Sequence, residues 1–150
     1  MISKWMRAGL AALALMSAPA WAQEDPATGL WRTVDDQTGK PKALIRISES
    51  GETLSGKVEK LFRSPDQEPN PVCDKCENGR RDQPVLGMTI LTGMKKGEGR
   101  EYSGGEMLDP ANGKIYKSRM TLSEDGKKLE VRGYIGMPML GRTQVWERVK

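Results

Sequence analysis

The sequence predicts an all-β fold, an eight-stranded antiparallel up-and-down barrel. Strand-like runs separated by turn residues fill the chain after residue 28, and no segment has a convincing helical pattern. The two ends of this region also look complementary, because Gly29 and Trp31 open it and Trp146 and Arg148 close it. A glycine lets neighbouring strands approach closely, and a guanidinium stacks favourably over an indole face. We therefore expect the first and last strands to meet at a seam that closes the barrel.

Eight segments have the composition and the bounding turn residues of strands. In four of them the two-residue period of a half-buried strand is clear: Ala43, Ile45 and Ile47; Leu54, Gly56 and Val58; Met88, Ile90 and Thr92; Leu129, Val131 and Gly133. The eight predicted strands cover residues 29–35, 42–50, 53–62, 86–95, 100–108, 114–122, 128–135 and 141–149.

The connections between the predicted strands are mostly short and carry turn residues. Glycine, aspartate, asparagine and proline recur in them, as in the stretch from Asp109 through Pro110 and Asn112 to Gly113. Such residues shape tight turns, so successive strands are expected to be antiparallel neighbours. Eight strands in this order close into a barrel whose interior holds side chains or one small ligand.

One connection is much longer than the others. Residues 63–85 contain four prolines and the sequence Cys73-Asp74-Lys75-Cys76. A structureless connection of this length inside a compact domain is usually functional or poorly ordered.

Residues 1–22 have the pattern of a cleaved secretory signal peptide. Lys4 and Arg7 form a positive start, residues 8–16 are apolar, and Ala20-Trp21-Ala22 is a small-x-small cleavage site. The apolar run is too short to span a bilayer, so a retained N-terminal anchor is the weaker interpretation. The expected organisation is a signal peptide over residues 1–22 and one barrel domain over residues 23–150, with no membrane span in the mature chain.

The charge pattern does not favour nucleic-acid binding. The formal net charge is +4, and Lys4 and Arg7 of the predicted signal supply two of these charges. Acidic and basic residues alternate in the rest of the chain, and aromatic residues are only 5% of it, too few for a stacking platform. The expected partner is therefore not a nucleic acid.

Chain direction indicates which connections share an end of the barrel, because they alternate between the two ends of a meander. With Trp31 and Arg148 at one end, the connections 35–41, 63–85, 109–113 and 136–140 fall at the other. The last of these is rich in methionine, which suits an adaptable apolar lining. The methionines are expected either to line the mouth of a cavity or to plug a filled barrel. The candidate ligand-binding residues at this mouth are Met137, Met139, Leu140, Arg142, Gln144, Tyr134, Tyr116, Phe62 and Met88.

The last predicted strand places Arg142, Gln144, Trp146 and Arg148 on one face, although the pattern does not tell whether that face points inward. If it does, Arg142 would lie near the mouth and pair with the anionic head of a fatty-acid-like molecule. Alternatively, Arg142 and Arg148 satisfy internal carboxylates or carbonyls.

Catalytic machinery is not apparent in the sequence. Histidine is absent, which removes Ser-His and Cys-His dyads and imidazole metal ligands. The carboxylates of Asp35, Asp36, Asp109, Glu124 and Asp125 lie in turn-like stretches, where they cap or shape the turn. We expect no catalytic residues, no cofactor and no metal site.

Cys73 and Cys76 are the sharpest chemical signal in the chain. A redox role would need a thiol at a helix N-terminus, and zinc would need two further soft or imidazole ligands. An exported location favours a local disulfide, with metal or redox chemistry as the alternative. A four-residue ring contributes at most about 2 kcal/mol, so it would rigidify the long connection rather than hold the domain together.

Several motifs spread over nearly the whole mature chain are shared with a known family. They are Gly29-x-Trp31, Gly104-Gly105-x-x-Leu108-Asp109-Pro110-x-x-Gly113-Lys114-x-Tyr116, Arg132-Gly133-Tyr134-Ile135-Gly136 and Gly141-Arg142-Thr143-Gln144-x-Trp146-x-Arg148. With them the chain resembles an uncharacterised bacterial exported family, domain of unknown function 2147, whose Cys-x-x-Cys also matches Cys73 and Cys76. The resemblance implies a lipocalin-like β-barrel in a Gram-negative periplasm, with no established activity. The chain lacks the mid-chain Thr-Asp-Tyr motif and the C-terminal helix of lipocalins.

Together these observations predict an exported, non-enzymatic barrel that binds a small apolar or amphipathic molecule. The first alternative is a structural or interaction protein of the cell envelope with a solid barrel. The second is an enzyme that works without histidine, using carboxylates or the cysteines.

Overall fold

The computed structural model describes Ala14 and residues 23–149, so the predicted signal peptide lies almost wholly outside the described residues. Eight antiparallel strands close into a barrel in chain order, and the last strand pairs with the first. The predicted fold class is therefore confirmed. The strands are β1 Gly29–Val34, β2 Pro41–Ser50, β3 Thr53–Leu61, β4 Thr89–Lys96, β5 Glu101–Asp109, β6 Lys114–Leu122, β7 Lys128–Tyr134 and β8 Arg142–Arg148, and two single 3₁₀ turns cover Asn78–Arg80 and Pro138–Leu140.

The predicted fourth strand begins three residues later in the structure, at Thr89 instead of residue 86. Gly87 has a φ of +85°, which interrupts the extended backbone before the strand. Gly87 and Met88 still exchange backbone hydrogen bonds with Val58 on β3, at 2.8 and 2.9 Å. The sheet is therefore continuous there, although the regular ladder starts only at Thr89.

The core is the inside of the barrel, where alternate residues of each strand are buried. Each of these side chains removes apolar surface from water, and such burial is the main favourable term in folding. The largest fully buried side chains are Trp31, Trp146, Tyr102, Ile45, Ile47, Leu91, Met94, Met120, Leu129 and Val131.

Burial of the inward-facing residues decreases from one end of the barrel to the other. We call the end where β1 begins and β8 ends the lower end, and the opposite end the upper end. On β6, Leu122, Met120 and Ser118 are at most 4% exposed, whereas Tyr116 is half-buried. On β8, Trp146 is buried and Gln144 half-buried. The barrel is thus filled in its lower part and open to solvent at its upper end.

Arg148 and the segment before β1 close the lower end. The Arg148 guanidinium lies 4.3 Å from the centroid of the Trp31 ring and donates to the backbone oxygens of Pro26, Thr28 and Gly126. The Trp31 indole N–H in turn donates to the Ala27 oxygen at 2.9 Å. Because these bonds join the segment before β1 to β8 and the turn after β6, they bind both sides of the seam.

The same N-terminal segment crosses the base of the barrel to the opposite strands. Ala27 is fully buried, and the Asp25 carboxylate accepts a hydrogen bond from the Tyr102 hydroxyl on β5. Lys96 at the end of β4 lies 3.8 Å from the same carboxylate. Residues 25–28 therefore cover the lower opening.

The long connection between β3 and β4 is attached to the upper end. Cys73 and Cys76 form a disulfide, and both are buried in one apolar cluster with Leu108. The Cys73 sulfur lies 3.5 Å from the Pro110 oxygen, and the backbone of Lys75 lies so close to Gly113 that a side chain there would collide with it. The predicted disulfide is therefore present, and it holds the connection against the β5–β6 turn.

Candidate functional site

The inward-facing residues nearest the upper end of the barrel are less buried than those below them, and we call the region between them the upper cup. Its walls carry the inward-facing residues nearest the upper end, which alternate with outward-facing neighbours on their strands. All except Thr33, which is 9% exposed, are half-buried, so solvent reaches the space between them. The upper cup is lined by Thr33 on β1, Met107 on β5, Tyr116 on β6, Gly133 on β7 and Gln144 on β8.

The polar side chains of the upper cup are positioned by their neighbours. The Asn112 amide donates to the Tyr116 hydroxyl oxygen at 3.1 Å, so the turn after β5 fixes the phenol. The Trp146 indole N–H donates to the Gln144 amide oxygen at 3.3 Å, which leaves the amide N–H₂ of Gln144 as a donor. The cup therefore offers a phenol and an amide from β6 and β8.

A cation lies at the rim of the cup rather than inside it. The Arg142 guanidinium contacts the Asp36 carboxylate at 2.6 Å, and its side chain is 80% exposed. An exposed pair of this kind contributes little to stability. It joins the β1–β2 turn to β8 beside the opening.

Ser118 lies directly below the cup and is 1% exposed. Its hydroxyl has no hydrogen-bond partner among the described residues. Ser118 stands between two glycines in register, Gly105 on β5 and Gly133 on β7. The Met94 sulfur occupies the space that a side chain at Gly105 would fill, whereas the Met107 methyl group lies at van der Waals distance from a Cβ atom added at Gly133. The floor of the cup is therefore a hydroxyl between two glycines, with Met94 and Met107 beside those glycines.

The structure resolves the orientation of β8. Trp146 belongs to the buried core, so Arg142 and Gln144 lie on the inward face with it, and Val145 is 40% exposed on the outer face. Of the predicted mouth residues, Tyr116, Gln144 and Arg142 are therefore brought together at the upper end.

The other predicted mouth residues lie elsewhere. Tyr134 pairs with Lys117 and faces outward, and Phe62 lies under the ammonium of Lys60 at the edge of the barrel. Met88 is buried directly before β4. The connection 136–140, which we call the apolar connector, is at the upper end but points into solvent, because Met137, Met139 and Leu140 are 58%, 75% and 74% exposed.

Sequence reasoning did not single out Ser118, Met107 or Thr33 as parts of this site. A signal for Ser118 exists, since it shares the two-residue period of Tyr116, Met120 and Leu122 on β6. A serine among inward-facing apolar residues is a buried polar group, which needs an explanation.

Two open depressions lie outside the barrel, beside β3 and the long connection. Each has a volume of about 580–590 Å³, and they share Leu86, Gly87 and Thr89. The charged pair Arg46–Glu59 borders one of them at 3.2 Å and is half-exposed. These grooves are open to solvent and lack convergent buried polar groups, so the upper cup is the stronger candidate.

Within residues 23–149, no group of three or more histidine, cysteine, aspartate or glutamate side chains is arranged to hold a metal ion. No helix of the described residues is long and apolar enough to cross a membrane.

Comparison with known proteins gives one family and one solved fold. The model of the family described as "Uncharacterized protein conserved in bacteria (DUF2147)" matches residues 29–148. A solved structure, protein HP1028 from Helicobacter pylori, described as belonging to the lipocalin family, is similar with a TM-score of 0.70. The two are 21% identical, and the match covers 83% of each chain, so this likeness shows the fold alone. No curated protein matches the sequence.

Proposed function

This chain belongs to the DUF2147 family of uncharacterized bacterial proteins and has a lipocalin-like barrel, and from that premise we propose that it is a non-enzymatic carrier of a small amphipathic molecule. The upper cup is the proposed binding site. The observation that carries the proposal is the decrease in burial along the barrel, which leaves Tyr116 and Gln144 reachable from solvent. Small-molecule sites are typically concave, largely apolar and equipped with a few oriented polar groups.

The filled lower barrel limits the size of the proposed ligand. Trp31, Tyr102 and Trp146 are at most 2% exposed and occupy the base. A long acyl chain inserted to full depth would have to displace them, at the cost of their packing. The expected ligand is therefore a compact molecule with an apolar part against Met107 and hydrogen-bonding atoms toward Tyr116 and Gln144.

Two tyrosines at the upper end provide a matched test. Tyr116 faces the cup, whereas Tyr134 on the neighbouring strand faces outward. With 8-anilino-1-naphthalenesulfonate as the fluorescent probe, Tyr116→Ala should weaken binding by about tenfold, since an anchoring aromatic contact is lost. Tyr134→Ala should bind the probe like the wild type. Equal binding by all three proteins would contradict the proposal, as would the absence of binding to the wild type.

The proposal includes export to the periplasm of a Gram-negative bacterium. It is supported by the signal-like pattern of residues 1–22 and by the Cys73–Cys76 disulfide, a bond typical of oxidising compartments. Cell fractionation combined with N-terminal sequencing tests it. A mature chain that begins at Gln23 in the periplasmic fraction is expected, and an uncleaved chain in the cytoplasm would contradict it.

The exposed apolar connector supports a second candidate function, an envelope protein that contacts another protein. Ile135, Met137, Met139 and Leu140 are all more than half exposed at the same end of the barrel. Contiguous exposed apolar residues often mark an interaction surface. This candidate predicts that substituting Met137, Met139 and Leu140 by serine abolishes a specific cross-link in the periplasm, while probe binding in the cup is unchanged.

A further inference from the structure

The geometry points to a subsite at the floor of the upper cup, in which the Ser118 hydroxyl binds an uncharged oxygen of the ligand. This inference rests on the proposed function and names the chemical class that the cup would take. The ligand would enter with a hydroxyl or carbonyl oxygen first and keep its apolar body against the methionines.

The buried hydroxyl of Ser118 is the first observation behind this inference. Ser118 is 1% exposed, and its oxygen has no partner among residues 23–149. A buried hydroxyl without a partner destabilises the fold, so each such group calls for an explanation. Its neighbours on the same face of β6, Met120 and Leu122, are apolar, so the strand pattern alone does not require a serine there.

The space beside Ser118 is the second observation. Gly105 and Gly133 flank Ser118 in register on the two adjacent strands. A Cβ atom added at Gly133 would lie 3.4 Å from the Met107 Cε atom, so a methyl group fits there and the end of Met107 lies beside it. Met107 is half-buried and its side chain is unbranched and flexible. Rotation of Met107 toward solvent would open a path from the cup to the Ser118 hydroxyl.

The charges near the subsite favour a neutral ligand atom over a carboxylate. Gly105, Gly133, Met94 and Met107 carry no charge. Arg142 is paired with Gly133 in register, but its guanidinium is exposed and bound to Asp36. A carboxylate at the floor would therefore be buried without a counter-ion, which is strongly unfavourable. An alcohol or ketone oxygen avoids that cost and still pairs with the serine.

The test compares 1-hexanol with hexanoate, two probes with the same chain length and different charge. Both are titrated into the mature, disulfide-bonded protein, and binding is followed by the amide NMR signals of Gly105 and Gly133. Hexanol should shift both signals and bind more tightly than hexanoate. Tighter binding of hexanoate would overturn the inference, because the floor would then accept a charge.

Two substitutions with matched controls locate the hydroxyl as the binding group. Ser118→Ala should weaken hexanol binding about threefold to tenfold, the value of one hydrogen bond. It should also leave the protein at least as stable as the wild type, because no internal hydrogen bond is lost. Ser103→Ala, on the exposed face of β5, should change neither quantity. Unchanged hexanol binding by Ser118→Ala, or a marked loss of stability, would overturn the inference.

Gly133→Ala blocks the same space without changing the hydroxyl. Gly133 has an ordinary backbone conformation, and the added Cβ makes only close van der Waals contacts, so the variant should fold. It should bind hexanol more weakly, whereas Gly79→Ala, which enters open space on the long connection, should not. If Ser118→Ala and Gly133→Ala both bind hexanol like the wild type, while Tyr116→Ala still weakens binding of the naphthalenesulfonate probe, the subsite alone is refuted. The absence of binding by every probe would refute the proposed function as well.

Discussion

At the scale of single residues, the barrel depends on positions that must be glycine because neighbouring atoms leave no room for a side chain. Gly105 on β5 is the clearest case. A Cβ atom there would lie 2.0 Å from the Met94 sulfur and 2.7 Å from the Thr92 backbone oxygen. Because Met94 is fully buried, it has no free space to move into.

We therefore predict that Gly105→Ala destabilises the protein by about 1–3 kcal/mol, the usual cost of overpacking a well-packed core. Urea denaturation measures the free energy of unfolding. Gly79→Ala is the control, because its added methyl group meets no atom within 4 Å. Equal stability of the two variants would mean that Met94 has room that the structure does not show.

Tyr102 links the core to the N-terminal segment and makes the stability sensitive to alkaline pH. Burial raises the pKa of its hydroxyl above the ordinary value of about 10, and the hydrogen bond to Asp25 and the charge of that carboxylate raise it further. The unfolded chain therefore loses this proton at a lower pH than the folded protein. The corresponding stability is complete below about pH 10 and is lost as pH rises from there toward the pKa of the folded state.

The expected result is a decrease in the free energy of unfolding of up to about 1.4 kcal/mol per pH unit above pH 10. Tyr102→Phe should remove this part of the slope, and Tyr116→Phe should retain it. Urea denaturation at a series of pH values compares the three proteins. The same alkaline slope in Tyr102→Phe and the wild type would show that another group is responsible.

Contacts between individual residues could be predicted from the sequence only where a local sequence pattern indicated both partners. Trp31 and Arg148 were recognisable because each lies in a strand at an end of the chain and together they make a known kind of contact. Asp25 and Tyr102 are 77 positions apart, and nothing in either neighbourhood indicates the other. Their pairing follows from the path of residues 25–28 across the base, which depends on the closed barrel.

At the scale of elements, the strands were predictable because their two-residue period reflects one buried face. The predicted bounds differ from the observed ones mostly by one residue, with the largest difference at the start of β4. There the sequence remains strand-like, but the backbone conformation of Gly87 delays the ladder. Such a local interruption cannot be read from apolar alternation.

The long connection was expected to be either functional or poorly ordered, and its disulfide gives it a defined path. Cys73 and Cys76 are 0% and 3% exposed, and the Cys73 backbone exchanges hydrogen bonds with Gln83 and Asp82 at 2.9 and 2.8 Å. These bonds join the two halves of the connection at the disulfide. The position of the long connection could not be predicted from the sequence, because it depends on contacts with the β5–β6 turn, which is distant in sequence.

We predict that Cys73→Ser combined with Cys76→Ser destabilises the protein by about 2 kcal/mol, since the crosslink closes only a four-residue ring. The barrel strands should remain folded. Amide hydrogen exchange should become faster at Asp82 and Val85, whose N–H groups bond to Cys73 and Pro71, and stay slow at Val131 in β7. Global unfolding of the double variant would mean that the connection is part of the folding core.

At the scale of the whole molecule, chain direction correctly predicts which connections share an end. It does not predict how deep a cavity lies between them. Depth depends on the combined volume of side chains from all eight strands, and Trp31, Tyr102 and Trp146 fill the base together. Chain direction likewise predicted that the apolar connector lies at the upper end. It did not predict that Met137 and Met139 point outward.

The seam between β1 and β8 decides whether the sheet is a closed barrel or an open one. Its ladder contains only two paired positions among the described residues, Trp31 with Arg148 and Arg32 with Glu147, and one further bond from the Val149 N–H to the Leu30 oxygen at 2.8 Å. Because this ladder is short, side-chain interactions must contribute most of what holds β1 and β8 together. Arg148 contributes such interactions by stacking on Trp31 and donating hydrogen bonds to three backbone oxygens on both sides of the seam.

We predict that Arg148→Met destabilises the protein by about 2–4 kcal/mol, because several charge-assisted hydrogen bonds and the contact with Trp31 are lost together. The same substitution at Arg32, which lies in the seam ladder opposite Glu147, is a matched control. Arg32 pairs with Glu147 at 2.6 Å, but both side chains are more than 40% exposed, so Arg32→Met should cost at most about 1 kcal/mol. Hydrogen exchange should become faster in β1 and β8 of Arg148→Met before it does in β6. A uniform acceleration over all strands, or equal destabilisation by the two variants, would show that the barrel is closed by its shared core rather than by this arginine.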